Sequence, residues 1–190
     1  MAKNNPFITS GYVSAEYFCD RIAETNALTR YITNGNNVAL ISPRRLGKTG
    51  LIEHCFHQKQ VKEKYYTFLI DIYATKNLQE FVFEFGKGIL NGLKPRGRKT
   101  WEQFLNCLSS LRTGISFDFS GNPSWNLELG DIKTPVITLD EIFHYLEQAD
   151  KPCLISIDEF QVIAKYPEND VEATLRTYIQ HCSNEIGRAS

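Results

Sequence analysis

The sequence predicts a layered α/β fold with a largely parallel sheet, and three observations carry that prediction. Three short runs have strand character: Val38-Ala39-Leu40-Ile41, residues 65–73, and Leu154-Ile155-Ser156-Ile157. They are nearly continuous in apolar residues, as strands buried on both faces of a parallel sheet are. Between them lie long segments whose apolar residues recur at helical spacing, and strands alternating with helices define an α/β layered domain.

In chain order, residues 15–32 have helical character, with Phe18, Ile22, Leu28, Tyr31 and Ile32 as a loose apolar face. Asn34-Gly35-Asn36 ends that helix, since Gly and Asn readily adopt positive φ. After the first strand run a helix follows Lys48, carrying Leu51, Ile52, Cys55 and Phe56; Phe68, Leu69, Ile70 and Ile72 then fill the second run. Leu78, Phe81, Val82, Phe85, Ile89, Leu90 and Leu93 define an amphipathic helix, so the FVFEF stretch reads as core. Trp101, Phe104, Leu105, Leu108 and Leu111 repeat the spacing. Ile115, Phe117 and Phe119 alternate with polar residues before the turn at Gly121-Asn122-Pro123, and Trp125, Leu127 and Leu129 follow. That pattern predicts a β-hairpin inserted over residues 114–130. Thr138 and Glu141 have the spacing of a capping box opening a helix with Leu139, Ile142, Phe143 and Leu146 on one face. A closing helix carries Val171, Leu175, Tyr178, Ile179 and Cys182. Residues 1–190 are thus expected to form one domain, with residues 1–36 as an N-terminal segment and helix.

Between the first strand run and the helix after it lies Ser42-Pro43-Arg44-Arg45-Leu46-Gly47-Lys48-Thr49. It fits the phosphate-loop pattern G-x-x-x-x-G-K-[ST], with Ser42 in place of the first glycine. Inward-pointing backbone N–H groups and a helix N-terminus make such a loop an anion nest. Gly47 lets the backbone approach phosphate, Lys48 reaches the β- and γ-phosphates, and the Thr49 hydroxyl ligates magnesium. The expected ligand is ATP with Mg²⁺, held by Ser42, Pro43, Arg44, Arg45, Leu46, Gly47, Lys48, Thr49 and Gly50, with Lys48 also serving catalysis. A bare G-K-[ST] also arises by chance, and the strand-to-helix junction is what favours the functional reading. Gly50 inside the first helical turn costs about 1 kcal/mol relative to Ala, which points to close packing there.

The third strand run ends in Asp158-Glu159. Asp158 is placed to hold the magnesium shell and Glu159 to polarise the water that attacks the γ-phosphate. An acidic strand end is common, so this pair gains its meaning from the loop. Asp71, at the end of the second run, reads as an ordinary strand-end carboxylate.

The segments SPRRLGKTGL and CLISIDEFQ resemble the prokaryotic "archaeal ATPase" group of AAA/STAND-type P-loop NTPases. FCDRIAE, from Phe18 to Glu24, is similar to that family's F-x-G-R-E-x-E element; Arg21 and Glu24 match, while Asp20 and Ile22 stand where the family has Gly and Glu. The resemblance, over about residues 5–182, implies a P-loop three-layer α/β/α fold with a mostly parallel sheet and a nucleotide contact by Arg21 near the adenine pocket. It also implies a sensor residue on a strand after the acidic pair, then a helical or winged-helix lid. No apolar strand run follows Cys182, so the expectation is an ATPase truncated after the Walker B helix. Such a chain would have an interrupted sheet centre between strands ending at Ile41 and Ile157, little turnover, and a need for a protein partner or the missing lid.

Composition narrows the classes further. With 21 Lys and Arg against 22 Asp and Glu, there is no global field to draw nucleic acid or acidic lipid. Five scattered cysteines without a C-x-x-C pair read as reduced thiols, MAKNNPFITS lacks an apolar leader run, and no stretch is long enough to span a membrane. The expected location is the cytoplasm. His54, Cys55 and His57 lack a second ligand cluster, so they read as helix residues and not a metal site. Lys94, Arg96, Arg98 and Lys99 read as a solvated basic loop, because no aromatic platform accompanies them. Arg176 reads as a surface helix arginine, with an arginine finger as the alternative. The functional expectation is a Mg²⁺-dependent ATPase acting as a switch. The alternatives are a nucleotide-binding module with little turnover and a P-loop kinase, the latter disfavoured because the Asp-Glu pair suits water as acceptor.

Overall fold

The computed structural model describes residues 12, 14, 18, 21–42, 46–111, 116–117, 123–124 and 132–186. The chain divides into two compact units, one of residues 1–65 and 183–190, the other of residues 66–182.

In the first unit, helix α1 (Ile22–Thr33) starts later than the sequence pattern implies, because Arg21 sits at its N-cap with φ −119° and ψ 38°. The α1 face that is buried consists of Thr25, Leu28, Thr29 and Ile32, while Ile22 and Tyr31 are exposed. Gly35, at φ +73°, ends the helix as expected. Helix α2 (Lys48–His57) buries Leu51 and Cys55, and the short α3 (Lys59–Lys62) buries Val61. The expected strand at residues 38–41 is not formed: Val38, Leu40 and Ile41 are exposed, Ile41 at 95%. A strand exists by sharing backbone hydrogen bonds with a neighbour, and the run has no ladder partner among the described residues. The interrupted sheet centre expected between that strand and the one ending at Ile157 therefore has no counterpart among the described residues.

The second unit is a mixed α/β body around a two-stranded parallel sheet, β1 (Tyr66–Asp71) with β4 (Cys153–Asp158), in register from Tyr66 opposite Cys153 to Asp71 opposite Asp158. Between them run α4 (Leu78–Leu93), α5 (Arg98–Cys107), the strand pair β2 (Ser116–Phe117) and β3 (Pro123–Ser124), and α6 (Pro135–Glu147). Helix α7 (Val171–Ile186) follows. Parallel neighbours need such a crossover, since a tight turn cannot join them. Burial alternates along β1, with Tyr66, Phe68 and Ile70 inside, whereas every residue of β4 is only half-buried. Among the described residues the sheet is two strands wide, with α4 packed on its Phe68–Ile70 face, and the doubly covered strands expected from composition are not found there. That packing is close, because Gly88 and Gly92 of α4 lie against Ile70 and Phe68.

The core gathers the apolar stripes of these helices, as their spacing predicts. Phe81, Phe85, Ile89 and Leu90 of α4, Phe104 of α5, and Leu139 and Ile142 of α6 are sealed from solvent. Their rings chain together, with Phe85 and Phe143 at 5.5 Å and Phe143 and Tyr178 parallel at 4.6 Å between centroids. Each buried large apolar side chain contributes about 1.5–3 kcal/mol.

Two local readings change. α6 starts at Pro135, with Thr134 as N-cap, so Thr138 and Glu141 are not its capping box. The Glu141 carboxylate instead accepts bonds from the Ser109 hydroxyl, from the Ser110 amide at 3.1 Å and from the Ser110 hydroxyl at 2.6 Å. Thr138 meets the same Ser110 hydroxyl at 2.9 Å. The expected hairpin is present in part, as the antiparallel pair β2 and β3 with Ser116 opposite Ser124 and Phe117 opposite Pro123, so Pro123 is a strand residue and not part of the turn; Ile115, Phe119, Trp125, Leu127 and Leu129 lie outside the described residues.

Candidate functional site

In the first unit the phosphate-loop residues meet the start of α2. Gly47 is its N-cap, at φ +70° and ψ 31°, in the left-handed region that glycine adopts without strain. A Cβ there would meet nothing closer than the Arg21 Nη1 at 3.7 Å, so the glycine is required by its backbone angle and not by crowding. Being glycine, the N-cap offers no side-chain acceptor to the first-turn N–H groups, and that turn holds no acidic residue. Lys48 and Thr49 are the first residues of the helix, half-buried and exposed respectively; Ser42 is half-buried and Leu46 exposed. Pro43, Arg44 and Arg45 lie outside the described residues. Gly50 does not pack closely: a Cβ there would have no atom within 4 Å.

Arg21 is where the structure adds most. Its Nη1 donates to the carbonyl oxygens of Leu46 at 2.9 Å and Gly47 at 3.3 Å, while its Nε lies 3.5 Å from Glu24 Oε1. The family resemblance pointed to Arg21, but nothing in the spacing of residues 21 and 46 gave this contact.

On the far side of α2, the Phe18 ring stacks on His54 at 4.0 Å and the Tyr12 hydroxyl lies 3.1 Å from His54 Nδ1. Burial, and then the nearby His57 charge, lower the His54 pKa. Cys55 is fully buried, with its thiol 3.8 Å from the Thr25 carbonyl oxygen, and burial raises its pKa. These residues pack the helix, and no sequence signal separates that role from ligand chemistry.

In the second unit Asp71 and Asp158 face each other in register at the carboxyl ends of the two parallel strands, the end of an α/β sheet at which ligands bind. Asp71 accepts the Tyr73 amide at 2.8 Å and Asp158 accepts the Glu159 amide at 2.9 Å. Glu159 is in the left-handed region at φ 58°, and its carbonyl accepts the Val162 amide at 2.9 Å, opening a 3₁₀ helix over Phe160–Lys165. Its carboxylate accepts a bond from the Gln161 side-chain amide, a partner that sequence reasoning missed. The loop after β1 is fixed nearby: the Thr75 hydroxyl donates to the Ile72 carbonyl at 2.6 Å and bonds the Tyr166 hydroxyl, and the Leu78 amide donates to Glu168 at 3.2 Å. The phosphate loop belongs to the first unit and the acidic pair to the second.

The remaining candidates have local partners. Arg96 lies over the Tyr66 ring at 4.3 Å and Arg98 pairs with Glu102 at 2.6 Å. Arg176 pairs with Glu172, one helical turn away, at 2.6 Å. No group of three metal-ligating side chains occurs among the described residues, and none of their helices is long and apolar enough to cross a membrane.

In comparisons with protein-family models, curated proteins and solved structures, the chain matches none. The fold and these two residue groups therefore carry the functional reading by themselves.

Proposed function

We propose that this chain is an ATP-binding protein of the P-loop class, a Mg²⁺-dependent ATPase that works as a switch, as its resemblance to the archaeal ATPase-like group implies. The single observation that carries the reading is Gly47: a left-handed glycine caps α2 immediately before Lys48-Thr49, with no side-chain acceptor of its own for the helix's first N–H groups. That is the backbone geometry of an anion nest, and the helix dipole adds to it. The parallel pairing that sets Asp158 beside Asp71 at the carboxyl end of the sheet supports the second half of the reading.

In this reading Lys48 neutralises the β- and γ-phosphates, the loop N–H groups orient them, and Glu159 takes the proton of the attacking water. Thr49 of the first unit would offer a hydroxyl and Asp158 of the second a carboxylate, oxygen donors of the kind that suit a hard ion such as magnesium, which would neutralise charge on the phosphates. A second reading, a nucleotide-binding module with little turnover, is favoured by one contact: the Glu159 carboxylate is already engaged by Gln161. In either case a cytoplasmic setting and a protein partner belong to the proposal.

The direct test replaces Lys48 with Ala and measures MgATP affinity by calorimetry beside a melting curve. The expected result is loss of binding with the melting curve unchanged. Equal affinity in parent and variant would sink the phosphate-loop assignment.

A further inference from the structure

We propose that Arg21 is the positioning residue of the phosphate loop, gripping two consecutive peptide groups so that their N–H groups face the phosphates. This inference rests on the nucleotide reading of the loop and gives Arg21 a role there different from an adenine contact. One guanidinium nitrogen donates to both the Leu46 and the Gly47 carbonyl oxygens, at 2.9 and 3.3 Å. In a planar trans peptide the C=O of one residue and the N–H of the next point in opposite directions. Holding the Leu46 carbonyl therefore fixes the Gly47 N–H, and holding the Gly47 carbonyl fixes the Lys48 N–H. These are the two amides that lead into α2, where an anion would be met. The Gly47 carbonyl also accepts the Leu51 amide of α2 at 3.0 Å, so Arg21 adds most at the Leu46 carbonyl, on the peptide that enters the residue least able to hold its own backbone angles. It is also built for the task, since Arg21 ends its segment as the N-cap of α1 and its fork-shaped group can serve two acceptors from one rigid plane. A lysine would offer a single point charge in the same space.

The test compares the full chain with Arg21→Ala, Arg21→Lys and Arg21→Gln, using MgATP and magnesium tripolyphosphate as separate probes. Loss of the grip should weaken both probes by the same factor in Arg21→Ala, about tenfold, the usual weight of a charge-assisted hydrogen bond. Arg21→Lys should recover part of that loss, and the melting curve should stay in place. Arg21→Gln, the milder change, carries the comparison if Arg21→Ala melts early. Undiminished binding in the variants overturns the inference. So does a loss confined to MgATP with tripolyphosphate unaffected, because Arg21 would then be reading the base or ribose. A parent chain that binds neither probe sinks the phosphate-loop reading. The grip itself is then judged by backbone order parameters at Gly47 and Lys48 in the ligand-free chain, which should fall in Arg21→Ala. Unchanged order parameters overturn it.

Discussion

One substitution, glycine to alanine, should have opposite signs at two helical positions, and the packing of α4 on β1 sets the difference. At Gly92 an added Cβ would sit 2.5 Å from Phe68 Cδ1 and 2.9 Å from Cε1, where carbon atoms normally rest about 3.5–4 Å apart. Phe68 is 1% exposed, so its ring has no free space to enter, and relief requires α4 to lift from the strand by roughly 1 Å. Alanine gains about 1 kcal/mol of helix propensity, while overpacking costs about 1–3 kcal/mol. With a ring in a sealed core on the other side the cost falls at the upper end, and Gly92→Ala should destabilise the chain by roughly 1–2 kcal/mol. At Gly50, in α2, no atom lies within 4 Å of the added carbon, so Gly50→Ala keeps the gain of about 0.5–1 kcal/mol. Urea denaturation of the ligand-free proteins, followed by circular dichroism and intrinsic fluorescence, measures both. The two glycines lie in different units, so hydrogen exchange in α2 and α4 assigns each change to its own helix. A neutral or stabilised Gly92→Ala would refute the close-packing argument, and a destabilised Gly50→Ala would refute the claim of open space.

Two further outcomes are expected. Glu159→Gln should still bind MgATP, since the amide keeps the size but cannot take a proton; phosphate release by the parent should fall by about two orders of magnitude, and equal rates would remove Glu159 as the base. The Tyr145 hydroxyl donates to the Thr100 carbonyl at 3.1 Å, and burial pushes its pKa up to about 12. The folded state thus holds this proton more tightly than the unfolded chain, whose tyrosine titrates near about 10. Its contribution is complete below the unfolded value and is lost as pH rises from there through the folded one. Urea midpoints across that alkaline window should fall less steeply in Tyr145→Phe than in the parent, and parallel slopes would contradict the linkage.

The amphipathic helices were legible because their information is local. Apolar residues every three or four positions in α4, α5 and α6 state which face is buried whatever lies against it, and those faces form the core. The α2 start was legible for the same reason, since Gly47-Lys48-Thr49 is itself a helix-entry signal. Pairings across distance were not. The run at residues 38–41 reads as a buried strand by composition, yet strand status depends on a neighbour's hydrogen bonds, and a four-residue run cannot name its neighbour. The Thr138-Glu141 spacing has the form of a cap, but Ser109 and Ser110, about thirty positions upstream, lay claim to the carboxylate.

What the sequence by itself determined is the set of local instructions: helical faces, the break at Gly35, the helix entry at Gly47-Lys48 and the carboxylates that end two strands. What only the tertiary structure decided is which groups meet. It placed Asp71 opposite Asp158, gave the Glu159 carboxylate to Gln161, and brought the Arg21 guanidinium to the carbonyls of Leu46 and Gly47. The physical reason is that periodicity and propensity act over a few residues, whereas a hydrogen bond between residues 21 and 46 exists only once the intervening chain has folded back to close the distance.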